Sequence, residues 1–187
     1  MQAPVYLCLL GNDPAPAVLG LEVVEREAGR VAKAVFDSFP AWNEEYGKKR
    51  QAFFRLLSEK GVLYEERPLE KGLEEAEARE VWVNLTGGAK YWAVRFLGHW
   101  RRPGARVFLV EGHRALEAPR ALFLWPREEE RSLEAEALTL EEYARLYLEP
   151  LGEAWERVSP PGAFPPGAQA ARLPGREGGV FVVHRGL

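Results

Sequence analysis

A single cysteine, Cys8, stands among the 187 residues, inside an apolar run. Disulfide stapling, a thiolate zinc site and dithiol redox chemistry are therefore excluded as organising principles. Long apolar stretches are missing as well: no run approaches the roughly 20 residues that span a bilayer, and the first residues lack the basic-then-apolar layout of a signal peptide. The expectation is a cytoplasmic chain with no membrane partner. An excess of positive charge is absent too, since 25 Lys and Arg against 28 Asp and Glu leave a net charge of −3 and a pI near 5.8. Such a chain has no general electrostatic grip on nucleic-acid backbones, so duplex binding is not expected, and any anionic ligand must be held by a local pocket. What remains, 47% hydrophobic and 28% charged residues, is the composition of a folded domain. The wealth of Glu and Arg is like that of proteins from hot environments.

Small polar side chains are also scarce, which makes their positions informative. Asp occurs only at Asp13 and Asp37, Asn only at Asn12, Asn43 and Asn84, and Thr only at Thr86 and Thr139. Most of them follow short runs of branched and aromatic residues that read as buried strands: Val5 to Leu10, Val31 to Phe36, and Val81 to Val83. In an open parallel α/β sheet the loops past the strand C-termini converge on the ligand crevice. Each such residue alone is also an ordinary turn or helix-cap residue. Three loops enriched together point to a site.

The intervening segments supply helices. Val18, Leu21 and Val24 give Ala17 to Ala28 a helical stripe that Gly29 stops, and Phe53, Phe54 and Leu57 do the same for Glu44 to Lys60 before Gly61. Lys48, Lys49 and Arg50 on that second helix read as a solvated face. A short strand at Val62 to Tyr64, a Glu-rich helix from Leu69 to Arg79, a strand from Glu80 to Asn84, a helix from Lys90 to Trp100 and a strand from Arg106 to Val110 complete the alternation. The fold class expected is α/β: a Rossmann-like, mainly parallel sheet flanked by helices, with right-handed crossovers. From Gly112 the pattern changes. Arg120 to Trp125 and Leu133 to Leu138 read as a C-terminal antiparallel hairpin turning through Arg127-Glu-Glu-Glu-Arg131, and Thr139-Leu-Glu-Glu142 has the capping-box spacing for a helix to Leu148. Residues 159–179 are dense in Pro and Gly and read as loop or linker, with an edge strand at Val180 to Val183. The division expected is 1–148 as the Rossmann-like domain and 149–187 as a Pro/Gly-rich extension.

The most specific segment is Val81-Trp-Val-Asn-Leu-Thr-Gly-Gly-Ala-Lys90. A buried strand delivers Asn84 and Thr86 to the sheet edge, Gly87 and Gly88 let backbone approach a ligand, and the following helix turns its free N–H groups outward beside Lys90. This is a phosphate-binding arrangement. It is neither a Walker A loop nor a dinucleotide fingerprint, because the glycine spacings of both are absent. A ligandless Gly-rich helix start is the structural alternative.

Asn-Leu-Thr-Gly-Gly-Ala-Lys after a strand and before an apolar helix closely resembles the Asn-(Leu/Ile)-Thr-Gly-Gly-Thr-Lys motif of CARF domains, the CRISPR-associated Rossmann-fold sensors of cyclic oligoadenylate. Leu138-Thr-Leu-Glu-Glu-Tyr143 is similar to the segment that follows the sensor in CARF proteins fused to nucleases, and in order of elements the resemblance runs over residues 4–148. Carried over by position, it implies ligand-binding loops at Gly11, Asn12, Asp13 and Pro14, at Asp37 and Ser38, and at Asn84, Thr86, Gly87, Gly88 and Lys90. It departs at Ala89, which lacks the second hydroxyl of the family cradle, and at the bulky Tyr91-Trp92.

The resemblance implies a sensor of cyclic oligoadenylate, with cyclic tetra-adenylate as the expected ring, acting in type III CRISPR antiviral signalling. A symmetric ring held by two copies implies a homodimer. Slow, metal-independent ring-nuclease activity is the enzymatic variant, with Lys90 stabilising phosphate charge and Ser38 and Asp37 orienting the attacking hydroxyl. His99 and His113 lie outside the matched loops and read as surface or structural residues. No metal or other cofactor is expected, since the matched loops offer only Asp13 and Asp37 as carboxylates, and beyond Pro150 there is neither Asp nor Lys to build a fused nuclease centre. The alternative is a Rossmann-like enzyme or binding protein for another nucleotide or phosphate ligand.

Overall fold

The computed structural model describes residues 3–40, 43–74, 80–112, 118–133, 138–162, 164, 167–177 and 179–184. Five parallel strands form the heart of the fold: β1 (Val5–Leu10), β2 (Lys33–Ser38), β3 (Tyr64–Pro68), β4 (Val81–Asn84) and β5 (Ala105–Glu111). Two antiparallel strands, β6 (Arg120–Trp125) and β7 (Glu129–Ser132), extend the sheet to seven in the order β3-β2-β1-β4-β5-β6-β7. The order reverses at β1, with β2 on one side and β4 on the other, so the loops after β1 and β4 face each other across a topological switch point. The Rossmann-like α/β expectation is met.

Each face of the sheet is covered by different helices. Tyr6, Cys8, Leu10, Phe36, Trp82 and Phe108 point to the side of α1 (Ala15–Ala28), α2 (Glu44–Glu59) and α4 (Leu140–Tyr147). Leu7, Leu9, Val35, Val83 and Val107 point to the other side, where α3 (Lys90–Trp100) packs Phe96 and Trp100 beside Leu69 and Leu73. Period-two alternation thus divides one sheet between two cores. On α2 the cationic triplet is spent locally: Lys48 and Lys49 pair with Glu44 and Glu45 one turn back, and Arg50 reaches the Phe39 carbonyl and Glu66.

Four expectations need correction. The third strand begins at Tyr64 instead of Val62, because Gly61 at φ 71° ends the helix turn and Leu63 faces solvent before β3 docks on β2. Over 69–74 the chain forms turns, not the first part of a helix, and 75–79 lie outside the described residues. In the hairpin the charged segment is itself strand β7, pairing Glu129 to Ser132 with β6, while the turn runs through Pro126 after a cis Trp125–Pro126 bond. Exposed edge positions tolerate the charges that give this segment the composition of a turn. Finally, the Pro/Gly-rich stretch contains β9 (Ala168–Arg172), the centre of an antiparallel sheet with β8 (Glu156–Val158) and β10 (Val180–His184). The strand expected at 180–183 is therefore an edge of this second sheet, and Leu173, just past β9, packs with Ala144 of α4 and with Leu148 that follows the helix.

Candidate functional site

The loops after β1 and β4 meet at glycine. A Cβ on Gly87 would collide with the Leu9 carbonyl oxygen and the Gly11 nitrogen, so only glycine lets the β4–α3 loop rest on the end of β1. Gly88 takes φ 77°, and a Cβ on Gly11 would lie 3.1 Å from its nitrogen. The backbones of Gly11, Gly87 and Gly88 are therefore brought together, and the approach that Gly87 permits is to β1. Ala89 is the extended N-cap of α3 and supplies no side-chain cap, which leaves the first N–H groups of the helix directed to its open end, with Lys90 exposed on its first turn. That end attracts anions.

Asn84 anchors this loop from below. Its Nδ2 donates to the Tyr6 hydroxyl at 3.0 Å and to the Pro16 carbonyl at 2.9 Å, while its Oδ1 accepts from the backbone N–H and hydroxyl of Thr86. Both donors and both acceptor positions of the amide are engaged. Thr86 Oγ1 in turn accepts from the Val110 N–H at 2.7 Å, and Tyr6 donates to the Ala17 carbonyl. Asn84 is thus a buried knot tying β1, α1, the glycine loop and β5, and it shapes the loop without opening to solvent. The sequence could have indicated Tyr6 as its partner only through the polar tip it carries in an otherwise apolar strand.

The β1–α1 loop divides its residues. Asn12 is exposed, whereas Pro14 is buried and its carbonyl accepts from Ala17 and Val18 to open α1. Asp13 turns its carboxylate toward the helix layer, where Oδ1 accepts from the Ala15 N–H at 3.3 Å and from the Tyr147 hydroxyl at the end of α4. Tyr147 carries no signal as a site residue, since nothing in the sequence links positions 134 residues apart.

At the end of β2 the two polar residues face opposite sides. Ser38 donates to Glu66 Oε1 at 2.8 Å. Asp37 sits opposite Leu9 of β1 and Arg67 of β3, is fully buried, and neither of its oxygens has a hydrogen-bond partner among the described residues. Burial, reinforced by Glu74 and Glu70 and opposed by Arg67 and Arg95, raises its pKa to about 7. A carboxyl so placed holds its proton in the folded chain to higher pH than a solvated one does. Glu66 and Arg67 escape a reading of the sequence, because the apolar pattern ends at Tyr64 whereas the strand runs on to Pro68. No group of acids, histidines or cysteines suited to a metal ion occurs among the described residues, and none of their helices is long and apolar enough to cross a membrane.

Solved structures share this architecture. The chain matches, at 98% identity and a TM-score of 0.92, a type III CRISPR defence DNA nuclease activated by cyclic oligoadenylate; 99% of this chain is covered, and 30% of that one. The chain thus spans less than a third of that nuclease. Can2 from Sulfobacillus thermosulfidooxidans, solved with cyclic tetra-adenylate, is 18% identical with a TM-score of 0.55 over 84% of this chain and 43% of its own. Protein VC1899 from Vibrio cholerae is 14% identical with a TM-score of 0.61 over 84% and 41%. At such identities the last two share the fold alone. No family model and no curated protein matches the chain.

Proposed function

We propose that the chain is a Rossmann-fold domain of the CARF type and a cyclic-oligoadenylate sensor of type III CRISPR antiviral defence. The observation that carries the reading is the anion-receptive glycine cradle of Gly11, Gly87 and Gly88 beside Lys90, in a chain 98% identical to part of a nuclease that such a ligand activates. Residues 1–148 do the sensing in this reading. Phosphate sits on the first turn of α3, where free N–H groups and Lys90 supply charge-assisted hydrogen bonds. Asn12 borders the opening, while Asn84, Thr86, Asp13 and Pro14 hold the loops in place. One chain offers one cradle. A ring with repeated phosphates calls for a second, from another copy of this chain in a homodimer or from the remainder of a longer polypeptide.

Ring opening is the enzymatic extension of the same site. A ribose 2′-oxygen attacks its adjacent phosphorus, the bond to the 5′-oxygen breaks, and the products are a 2′,3′-cyclic phosphate and a 5′-hydroxyl that takes up a proton. Lys90 and the loop amides would stabilise the charge on phosphate, whereas Asp37 and Ser38, expected to orient the attacking hydroxyl, are buried at the end of β2. Thin-layer analysis of labelled cyclic oligoadenylates separates the readings. Intact rings retained by the protein support sensing alone, cleaved rings support the ring nuclease, and rings ignored at every size, with mononucleotides bound instead, point to a different phosphate ligand. Cleavage that stopped with EDTA and returned with magnesium would overturn the metal-free route.

A further inference from the structure

The end of the sheet remote from the cradle carries its own concentration of positive charge. Arg101 and Arg102 follow α3, and Arg106 lies one residue into β5; all three are exposed, and none has a carboxylate partner among the described residues. Elsewhere Arg120, Arg145, Arg157, Arg172 and Arg176 are each matched to a Glu. The three guanidinium groups rest on rings: Arg102 is 4.1 Å from the Trp100 ring centre, Arg106 4.8 Å from Trp82 and Arg101 5.6 Å from Trp125. Stacking holds a guanidinium in place while its N–H edge stays free, so the donors are arranged in advance. Strand register joins the two flanks of this end, because Trp125 lies opposite Val107 and its Nε1 donates to the Arg102 carbonyl.

Beside Arg106 opens a cavity of about 350 Å³ lined by Phe123, Pro126, Arg127, Glu129 and Arg131. Arg131 is engaged by Glu27 and Glu129, but Arg127 is 85% exposed and reaches Glu129 only at 3.7 Å. Cations therefore outnumber acids in the wall, in a chain whose overall charge is −3.

We propose that this arginine rim, formed by Arg101, Arg102, Arg106 and Arg127, binds the phosphate backbone of a nucleic-acid strand. Several separate guanidinium groups around one edge match an anion that repeats along a chain better than a single carboxylate or phosphate, and planar forks bind phosphate oxygens two at a time. The overall negative charge confines such binding to this edge. The rim lies at the opposite end of the strands from the glycine cradle, so the two sites can be occupied together, and this proposal stands whether or not the cradle takes a cyclic oligoadenylate.

Fluorescence anisotropy with a labelled 20-nucleotide strand and with its duplex, across a salt series, tests it. Binding of either form is expected to weaken at least about tenfold in the Arg102→Gln/Arg106→Gln variant, with the salt slope reduced by about two. Arg127→Gln, at a position too exposed to disturb folding, should weaken it several-fold. Arg157→Gln, which removes a matched arginine elsewhere, should leave it unchanged. Absence of binding at low salt, or equal loss in Arg157→Gln, overturns the proposal. So does displacement by polyglutamate at equal charge, which would mark an acidic protein partner, or by inorganic phosphate at equal phosphate concentration, which would mark a site for a single anion.

Discussion

Two side chains at the crevice make opposite predictions. Lys90 is exposed and makes no hydrogen bond or ion pair among the described residues, so Lys90→Ala should fold normally and lose about 1 to 3 kcal/mol of cyclic-oligoadenylate binding, measured by calorimetry. Equal affinity in a folded variant would detach this residue from phosphate. Asp37 acts through stability instead. Its pKa rises from 3.8 to about 7, so between those values the folded chain holds a proton that the unfolded chain has released. Stability therefore falls as pH rises through this window, and the burial cost is complete above about pH 7. Asp37→Asn should accordingly raise the melting temperature at pH 8, by an amount corresponding to about 2 to 4 kcal/mol, and change little near pH 4. A uniform effect across pH would show that the carboxyl is not the group responsible. The positions of these residues were legible in sequence because Asp and Thr are so rare here, but their roles were not. Asn84 has the same strand-end address as Asp37, yet one is fully bonded and the other unpartnered among the described residues, a difference set by Tyr6 and the α1 carbonyls across the fold.

Among the elements, α4 is the most completely specified by its own sequence. The Thr139 hydroxyl accepts from the Glu142 N–H, and the Glu142 carboxylate accepts from the Thr139 N–H, as the four-residue spacing predicts. Thr139→Ala should cost about 1 kcal/mol in denaturant unfolding. A loss no larger than that of an exposed-site control would mean the box is redundant with the packing of Leu140 and Tyr143. Helices α1 to α3 and strands β1, β2, β4 and β5 were legible for a similar reason: periodicity and glycine stops are local signals. Strands β7 and β9 were not, because an edge strand of charges and a strand inside a Pro/Gly-rich segment carry no alternating apolar pattern and exist through pairing with β6, β8 and β10. The glycine loop between β4 and α3 is equally exacting. Gly87→Ala should lower the melting temperature and weaken ligand binding together, since the added methyl group meets backbone on β1 that cannot yield, and a variant as stable as the parent would refute the close approach.

For the whole molecule, this chain spans less than a third of the nuclease it matches. The contact between Asp13 and Tyr147 joins the loop at the mouth of the crevice to the last turn of α4, and Leu173, just past β9, packs in turn with Ala144 of α4. A displacement of that loop is therefore passed to α4, against which Leu173 rests. Thermodynamic linkage then works in both directions: if filling the crevice shifts α4 by some free energy, holding α4 in that shifted position tightens the crevice by the same factor. Anything that holds α4 in place would thus change the apparent affinity of the crevice by that same factor.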